Sequence, residues 1–156
     1  MKRHILFGSF GLGALILACA VVSTASQQAP AATPTPITVY KTASCGCCAK
    51  WVDHMKSAGF APTVSDLPEV GTTKLKLGVP ANLQSCHTAT VDGYVVEGHV
   101  PADVVRQLLK EKPKVTGIAV PGMPMGSPGM EQGGMKDAYE VLTFDRSGKT
   151  TVYAKR

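Results

Sequence analysis

Three of the five cysteines fall within four positions, at Cys45, Cys47 and Cys48. A strand is predicted just before them at 37–40, where every residue is β-branched or aromatic. A helix is predicted at 47–58, because apolar residues recur on one face there; they are Trp51, Val52, Met55 and Ala58. The cysteines therefore lie at a helix N-terminus, where unpaired N–H groups and the helix dipole favour thiolates. Such thiolates are both nucleophiles and metal ligands.

Cys45 and Cys48 have C-x-x-C spacing, and Cys47 lies inside the pair. We expect no buried disulfide here, because three cysteines in four positions cannot all pair with one another and neighbouring cysteines bridge poorly. Reactive or metal-bound sulfurs are therefore the favoured interpretation of this motif.

Length and charge exclude some classes of function. The 156 residues suffice for one domain of ordinary size, and 44% hydrophobic content can fill a core. Without Lys2 and Arg3, the chain has 14 basic and 11 acidic residues. The basic residues are scattered and form no stripe interleaved with aromatic side chains, so nucleic-acid binding is not expected.

Residues 1–25 have the layout of a secretory signal peptide, with a basic start, an apolar stretch and small residues before a cleavage site after Ala25. A retained membrane anchor and lipidation at Cys19 are the alternatives. Residues 26–36 are rich in Gln, Ala, Pro and Thr and are predicted to be a disordered linker. Export would place the thiols in an oxidising compartment, where they must be paired, cycled or bound to metal.

The folded part is predicted to comprise a domain at 37–114 and a C-terminal extension at 115–156. Within the domain, a weak strand at 62–65 and a short helix at 69–77 precede a hairpin and a helix that Pro101 opens. This β-α-β-α-β-β-α order, with C-x-x-C at the first strand-to-helix turn, is the thioredoxin-like layout. The predicted class is therefore α/β.

The Asp92-Gly93 pair is typical of a two-residue type I′ hairpin turn, which fixes the register of its strands. In that register Cys86 lies opposite His99, with Cβ atoms roughly 5 Å apart. Strand alternation turns His87 to the other face unless Cys86 lies in the loop, and we expect His87 at the surface. We also expect His54 to be solvated on the exposed face of its helix.

In a thioredoxin-like domain the segment before the third strand passes beside the C-x-x-C motif. We therefore expect Cys86, and His99 with it, to lie against the other three cysteines. Two alternatives stay open: Cys86 as an inert buried thiol, and His99 as a cap of the next helix.

The segment at 120–134 is rich in Gly, Pro and Met and is not expected to form a regular element. Met123, Met125 and Met130 are candidate ligands, because thioether sulfur suits Cu(I). The alternative is a flexible surface loop. A terminal β-hairpin is predicted at 139–153.

Taken together, the motifs resemble those of CopG-type periplasmic copper-resistance proteins, which are distinct from the transcriptional repressors of the same name. The resemblance covers 39–131 and rests on Y-K-T-A-S-C-G-C-C at 40–48, G-V-P at 78–80, S-C-H-T at 85–88, G-Y-V-V-E-G-H-V-P at 93–101, G-M-P at 122–124 and G-S-P-G-M at 126–130.

This resemblance implies a thioredoxin-like domain whose C-terminal extension helps to bind copper. It also implies a cysteine-bridged centre with more than one copper ion and a role in Cu(I)/Cu(II) interconversion in the periplasm. The implied thiolate ligands are Cys45, Cys47, Cys48 and Cys86, to which we add His99, Met123, Met125 and Met130 as candidates. Envelope copper-efflux components are conceivable partners, and we expect a monomer. Whether the protein is a copper oxidoreductase with catalytic turnover is left open.

Two other functions compete with copper binding. A metal-free thiol–disulfide oxidoreductase would use Cys45 as the attacking thiolate and Cys48 as its partner, although Cys47 would offer a wrong partner. A zinc-binding structural module would use three cysteines and a histidine, although such sites usually space their ligand pairs differently from Cys45, Cys47 and Cys48.

Overall fold

The structure is a computed structural model that describes residues 33–156. The predicted signal peptide at 1–25 and the part of the predicted linker at 26–32 lie outside the described residues. Between residues 33 and 156, no helix has the length and hydrophobicity that a membrane crossing requires.

Within residues 33–156, seven strands form one mixed sheet in the order β2-β1-β3-β4-β5-β6-β7. The strands are β1 (Thr35–Thr42), β2 (Phe60–Leu67), β3 (Thr88–Val91), β4 (Tyr94–Glu97), β5 (Gly117–Ala119), β6 (Glu140–Phe144) and β7 (Thr150–Lys155). The helices are α1 (Gly46–Ser57), α2 (Gly71–Lys76) and α3 (Ala102–Glu111), with a short 3₁₀ turn at Ala81–Leu83.

The first four strands and the three helices have the predicted thioredoxin-like order. β1 pairs with β2 in parallel and with β3 antiparallel, and β3 pairs with β4 antiparallel. The α/β class is therefore confirmed. β1 begins earlier than predicted, inside the expected linker, because Thr35 and Pro36 continue the parallel pairing with Phe60 and Ala61.

The hairpin between β3 and β4 has the predicted register. Asp92 and Gly93 both have positive φ angles, 46° and 82°, as a type I′ turn requires. Val91 pairs with Tyr94, and Thr88 pairs with Glu97. Because of this register, the residues just before Thr88 lie beside the residues just after Glu97.

β5 is an element that the sequence pattern did not reveal. It pairs in parallel with β4 and antiparallel with β6, so the sheet continues across the predicted boundary at 114/115. Its three residues, Gly117–Ala119, are too few to show an alternation of polar and apolar side chains. The predicted terminal hairpin is present as β6 and β7, and no helix or strand interrupts residues 120–134.

Apolar faces of α1 and α3 pack with the sheet in the larger of two buried clusters. A smaller cluster includes Val79, Leu83, Val95, Ala119 and Phe144. Apolar side chains of β1, α1, β4 and α3 are buried; they include Val39, Trp51, Val52, Val95, Val105 and Leu108. This packing fixes the N-terminus of α1, which carries the cysteine motif, against the ends of β3 and β4.

His54 is not a solvated side chain, contrary to expectation. It is half-buried, and its Nε2 accepts a hydrogen bond of 3.1 Å from the backbone N–H of Ala102. Pro101, at the N-cap position of α3, offers no side-chain cap, so His54 satisfies an otherwise unpaired N–H of that helix. Burial lowers the pKa of His54, which favours the neutral imidazole that this bond needs.

We expect His54→Ala to lower the free energy of unfolding at pH 7.5 by about 1 kcal/mol, as loss of a helix cap does. Because the folded-state pKa is lowered, the stabilisation is complete above the ordinary histidine pKa of about 6.5 and is lost as the pH falls below it. Urea unfolding between about pH 5 and 8 measures both effects. His54→Gln, which keeps an acceptor, is the matched control and should flatten this pH dependence. If the free energy of unfolding of His54→Gln varied with pH as it does in the unmodified chain, the capping role of His54 would be contradicted.

Candidate metal centre

The turn between β1 and α1 presents three cysteines at the start of a helix. Cys45 is the N-cap residue of α1, and its N–H donates to the Thr42 carbonyl at 3.1 Å. Cys47 and Cys48 follow in the first helical turn. Cys48 is fully buried, whereas Cys45 and Cys47 are half-buried. The free N–H groups of the helix start favour negative charge on these sulfurs.

A disulfide joins Cys45 and Cys48, which corrects our expectation that none would form. The first helical turn places their Cα atoms 5.3 Å apart, inside the range that a disulfide spans. Crowding by Cys47 therefore does not prevent pairing, because the two outer cysteines pair and the middle one stays a free thiol. Thiolate chemistry at Cys45 and Cys48 requires two-electron reduction of this bond.

Cys86 completes a cluster of four sulfurs, as expected. Its Sγ lies 3.9 Å from the Sγ of Cys47, which lies 3.6 Å from that of Cys45. All four sulfurs are within 4.8 Å of one another, a geometry that could hold metal. Burial raises the pKa of the Cys86 thiol to about 11, and the neighbouring Cys47 adds to the shift. Metal binding there must therefore displace a proton.

His99 contacts Cys86, as the hairpin register predicts. Its Nε2 lies 2.9 Å from the Sγ of Cys86, and its Nδ1–H donates to the carbonyl of Pro128 at 2.8 Å. The carbonyl can only accept, so it fixes the tautomer and leaves the lone pair of Nε2 facing the sulfur. Metal-binding histidines are commonly oriented by such a bond at their other nitrogen.

His87 is buried beside the same sulfur, contrary to the expected surface position. Its Nδ1 lies 3.6 Å from the Sγ of Cys86, and its ring is 4.9 Å from that of His99 and 4.4 Å from that of Trp51. The alternation argument fails because β3 begins only at Thr88, so Cys86 and His87 lie in the loop. Burial lowers the pKa of His87 well below its ordinary value, and the nearby charges of His99 and Lys74 add to this.

Sequence reasoning therefore missed His87 as a member of the site. The Nε2 of His87 is buried without a hydrogen-bond partner among residues 33–156. Cys86, His87 and His99 form a second group whose ligand atoms lie within 4.8 Å of one another. The sequence feature that could have indicated His87 is its position directly after Cys86, since both residue types bind metals.

The Gly/Pro/Met-rich segment lies on this cluster through its residues 127–129, which are buried. Gly129 has φ +88°, and a Cβ there would come within 2.7 Å of the Cys47 carbonyl and 2.9 Å of the Trp51 nitrogen. Of the predicted methionine ligands, Met125 and Met130 are half-buried and Met123 is exposed. Their role as ligands stays a prediction.

The comparison with solved structures identifies a family. Two solved structures, described as Copper resistance protein copG in Form 1 and Form 2, each match with 46% sequence identity and a TM-score of 0.75. The match covers 79% of this chain and 98% of theirs. The chain belongs to the CopG family. A family model described as Protein of unknown function, DUF411, matches residues 83–130, and no curated protein matches.

The donor set of this CopG family member fits copper. Four cysteine sulfurs and two imidazoles lie together, and soft sulfur and imidazole nitrogen are both ligand types that suit copper. Burial lowers the pKa of His99 as well as that of His87, so both rings are neutral and keep a lone pair. Once the Cys45–Cys48 disulfide is reduced, the residues that would hold metal are Cys45, Cys47, Cys48, Cys86, His87 and His99.

We expect Gly129→Ala to destabilise the protein more than Gly122→Ala does. Both glycines have positive φ, which costs a residue with a Cβ about 1–2 kcal/mol, but only at Gly129 would the added Cβ also meet backbone atoms of α1. Urea unfolding of the two variants isolates the contact with α1. Equal losses of unfolding free energy would show that the segment does not pack closely on the helix.

Proposed function

We propose that this protein is a periplasmic copper-binding protein of copper resistance, which holds a cysteine-bridged centre with more than one copper ion. We further propose that it interconverts Cu(I) and Cu(II). Two solved structures that are 46% identical to this chain are named copper resistance protein copG, which supports the assignment. The predicted signal peptide at 1–25 supports export, and envelope copper-efflux components remain the proposed partners.

The observation that best supports the proposal is that Cys86 belongs to two groups of potential metal ligands. Its sulfur belongs both to the group of four cysteines and to the group with His87 and His99. A thiolate can bridge two metal ions, so one sulfur common to two ligand groups supports a centre with more than one ion. Adjacent cysteines such as Cys47 and Cys48 cannot readily bind a single ion together, which also favours bridging.

The Cys45–Cys48 pair supports the redox half of the proposal. Two thiolates that close into this disulfide release two electrons, the number needed to reduce two Cu(II) ions to Cu(I). Opening the disulfide takes up two electrons, which oxidation of two Cu(I) ions to Cu(II) would supply, and restores both thiolates. The cysteine pair can therefore exchange electrons with copper without a further cofactor.

A metal-free thiol–disulfide oxidoreductase is the second candidate, and the same disulfide favours it. Cys45 is half-buried and reachable, whereas Cys48 is fully buried, which suits attack by an outside thiol on Cys45. This function needs neither Cys86 nor the two histidines. Substitution of Cys86 therefore separates the two candidates.

We expect Cys86→Ser to weaken copper binding more than about 100-fold. Removing a residue that only hydrogen-bonds to a metal ligand typically weakens binding about 10- to 100-fold, and Cys86 is proposed to be a ligand itself. The protein is purified from copper-fed cells, and its copper content and visible absorption are compared with those of the unmodified chain. Cys45→Ser, Cys47→Ser and Cys48→Ser should also lose copper and stay folded, because the larger apolar cluster contains none of these cysteines.

Ser44→Ala, which changes a neighbouring exposed hydroxyl, is the matched control and should keep its copper. Undiminished copper content in all four cysteine variants would exclude the thiolate centre. Stoichiometric zinc without visible absorption would favour the structural zinc module, because Cu(II)–thiolate absorbs in the visible and zinc does not.

We expect both His87→Ala and His99→Ala to shift the visible spectrum of the copper-loaded protein, because each ring lies against the Cys86 sulfur. From the sequence alone, which predicts His87 at the surface, a much smaller effect is expected for His87→Ala than for His99→Ala. His54→Gln is the control, since it changes a half-buried histidine outside the cluster. A spectrum that is unchanged in both alanine variants would remove imidazole from the proposed ligand set.

A further inference from the structure

A buried ion pair lies next to the loop that carries Cys86. Glu97, at the end of β4, is fully buried, and its Oε1 lies 2.6 Å from the Nζ of Lys74, which is 5% exposed. Thr88 donates a hydrogen bond of 2.6 Å to Oε2 of the same carboxylate. Buried ion pairs seldom stabilise a fold more than apolar residues of the same volume would. A structural role alone therefore does not account for this pair.

The carboxylate also holds the backbone beside the thiol. The N–H of Ser85, the residue before Cys86, donates to Oε1 of Glu97 at 2.7 Å. On the other side of Cys86, the carbonyl of His87 accepts from the N–H of Gly98 at 3.0 Å. Cys86 lies before β3 begins, so these two bonds hold the loop at the residues that flank the cysteine.

Close packing leaves Ser85 little room to move. A Cβ at Gly98 would come within 2.7 Å of the Ser85 Cβ and 2.6 Å of the Val120 carbonyl. The Ser85 hydroxyl also donates to the carbonyl of Gly122, at the start of the Gly/Pro/Met-rich segment. Ser85 therefore connects the cysteine loop, the end of β4 and the C-terminal extension.

We propose that Glu97 is a positioning residue, whose carboxylate fixes the Ser85 N–H and so holds the Cys86 thiol beside that of Cys47. Lys74 and Thr88 hold the carboxylate in place. The inference rests on the proposed copper function, because it assigns a residue that supports a copper ligand. Glu97 contributes no ligand atom of its own.

Two double variants separate the hydrogen bond from the ion pair. Lys74→Met with Glu97→Gln removes both charges but keeps an oxygen that can accept from Ser85. Lys74→Met with Glu97→Leu also removes both charges and leaves the Ser85 N–H without its acceptor. Thr88→Val is a milder third variant, because it removes only the hydroxyl that orients the carboxylate.

The first measurement needs no copper. In the metal-free protein, Cys47 and Cys86 are free thiols 3.9 Å apart, so mild oxidation with diamide should join them. Peptide mapping by mass spectrometry follows formation of the Cys47–Cys86 bond. We expect the Gln variant, which keeps the acceptor but loses the support of Lys74, and Thr88→Val to react about threefold more slowly than the unmodified chain. We expect the Leu variant, which loses the acceptor, to react about tenfold more slowly, in line with one weakened or lost hydrogen bond.

The second measurement is the visible spectrum of the copper-loaded proteins, which should change more in the Leu variant than in the Gln variant. Equal cross-linking rates in the Gln and Leu variants would overturn the proposal. If the Leu variant does not fold, a Thr88→Val rate equal to that of the unmodified chain would overturn it as well. Failure of the unmodified chain to bind copper would refute the proposed function alone, since the cross-linking rates do not depend on copper.

Discussion

The candidate centre depends on one hydrogen bond, from Nδ1–H of His99 to the carbonyl of Pro128. This bond joins the end of the β3–β4 hairpin to the C-terminal extension, directly above the first turn of α1. It also fixes the tautomer of His99 and so aims Nε2 at Cys86. Gly129 makes the approach feasible, because any side chain there would meet the Cys47 carbonyl. The extension is thus part of the site even where its methionines are exposed.

Most of the fold could be predicted because a few short sequence motifs determine the local backbone conformation and, with it, the pairing of the strands. Asp92-Gly93 admits one hairpin register, and that register brings Cys86 to His99 across a distance that no single motif encodes. β5 could not be predicted in the same way, since Gly117–Ala119 is short and gains its strand conformation only from its neighbours. Elements that depend on tertiary pairing leave little trace in the sequence.

The site was predictable in its cysteines and less so in its histidines and its redox state. His87 was misplaced because strand alternation applies only inside a strand, and β3 begins at Thr88, after both Cys86 and His87. The sequence Cys86-His87-Thr88 does not show where the strand begins. The Cys45–Cys48 disulfide was missed for another reason. Cys45 and Cys48 have the same spacing whether they bind metal or pair, and sequence crowding by Cys47 does not decide between the two.

The electrostatics of the site favour a cation over any neutral ligand. Burial raises the pKa of Cys86 to about 11 and lowers the pKa values of His87 and His99, so without metal all three side chains are neutral. A buried thiolate is costly unless a positive charge lies beside it, and a buried imidazolium would not supply that charge readily. A soft metal ion supplies it, while the neutral imidazoles keep the lone pairs that coordination requires. Burial therefore leaves the metal-free cluster uncharged, and a cation that binds there must displace the proton of Cys86.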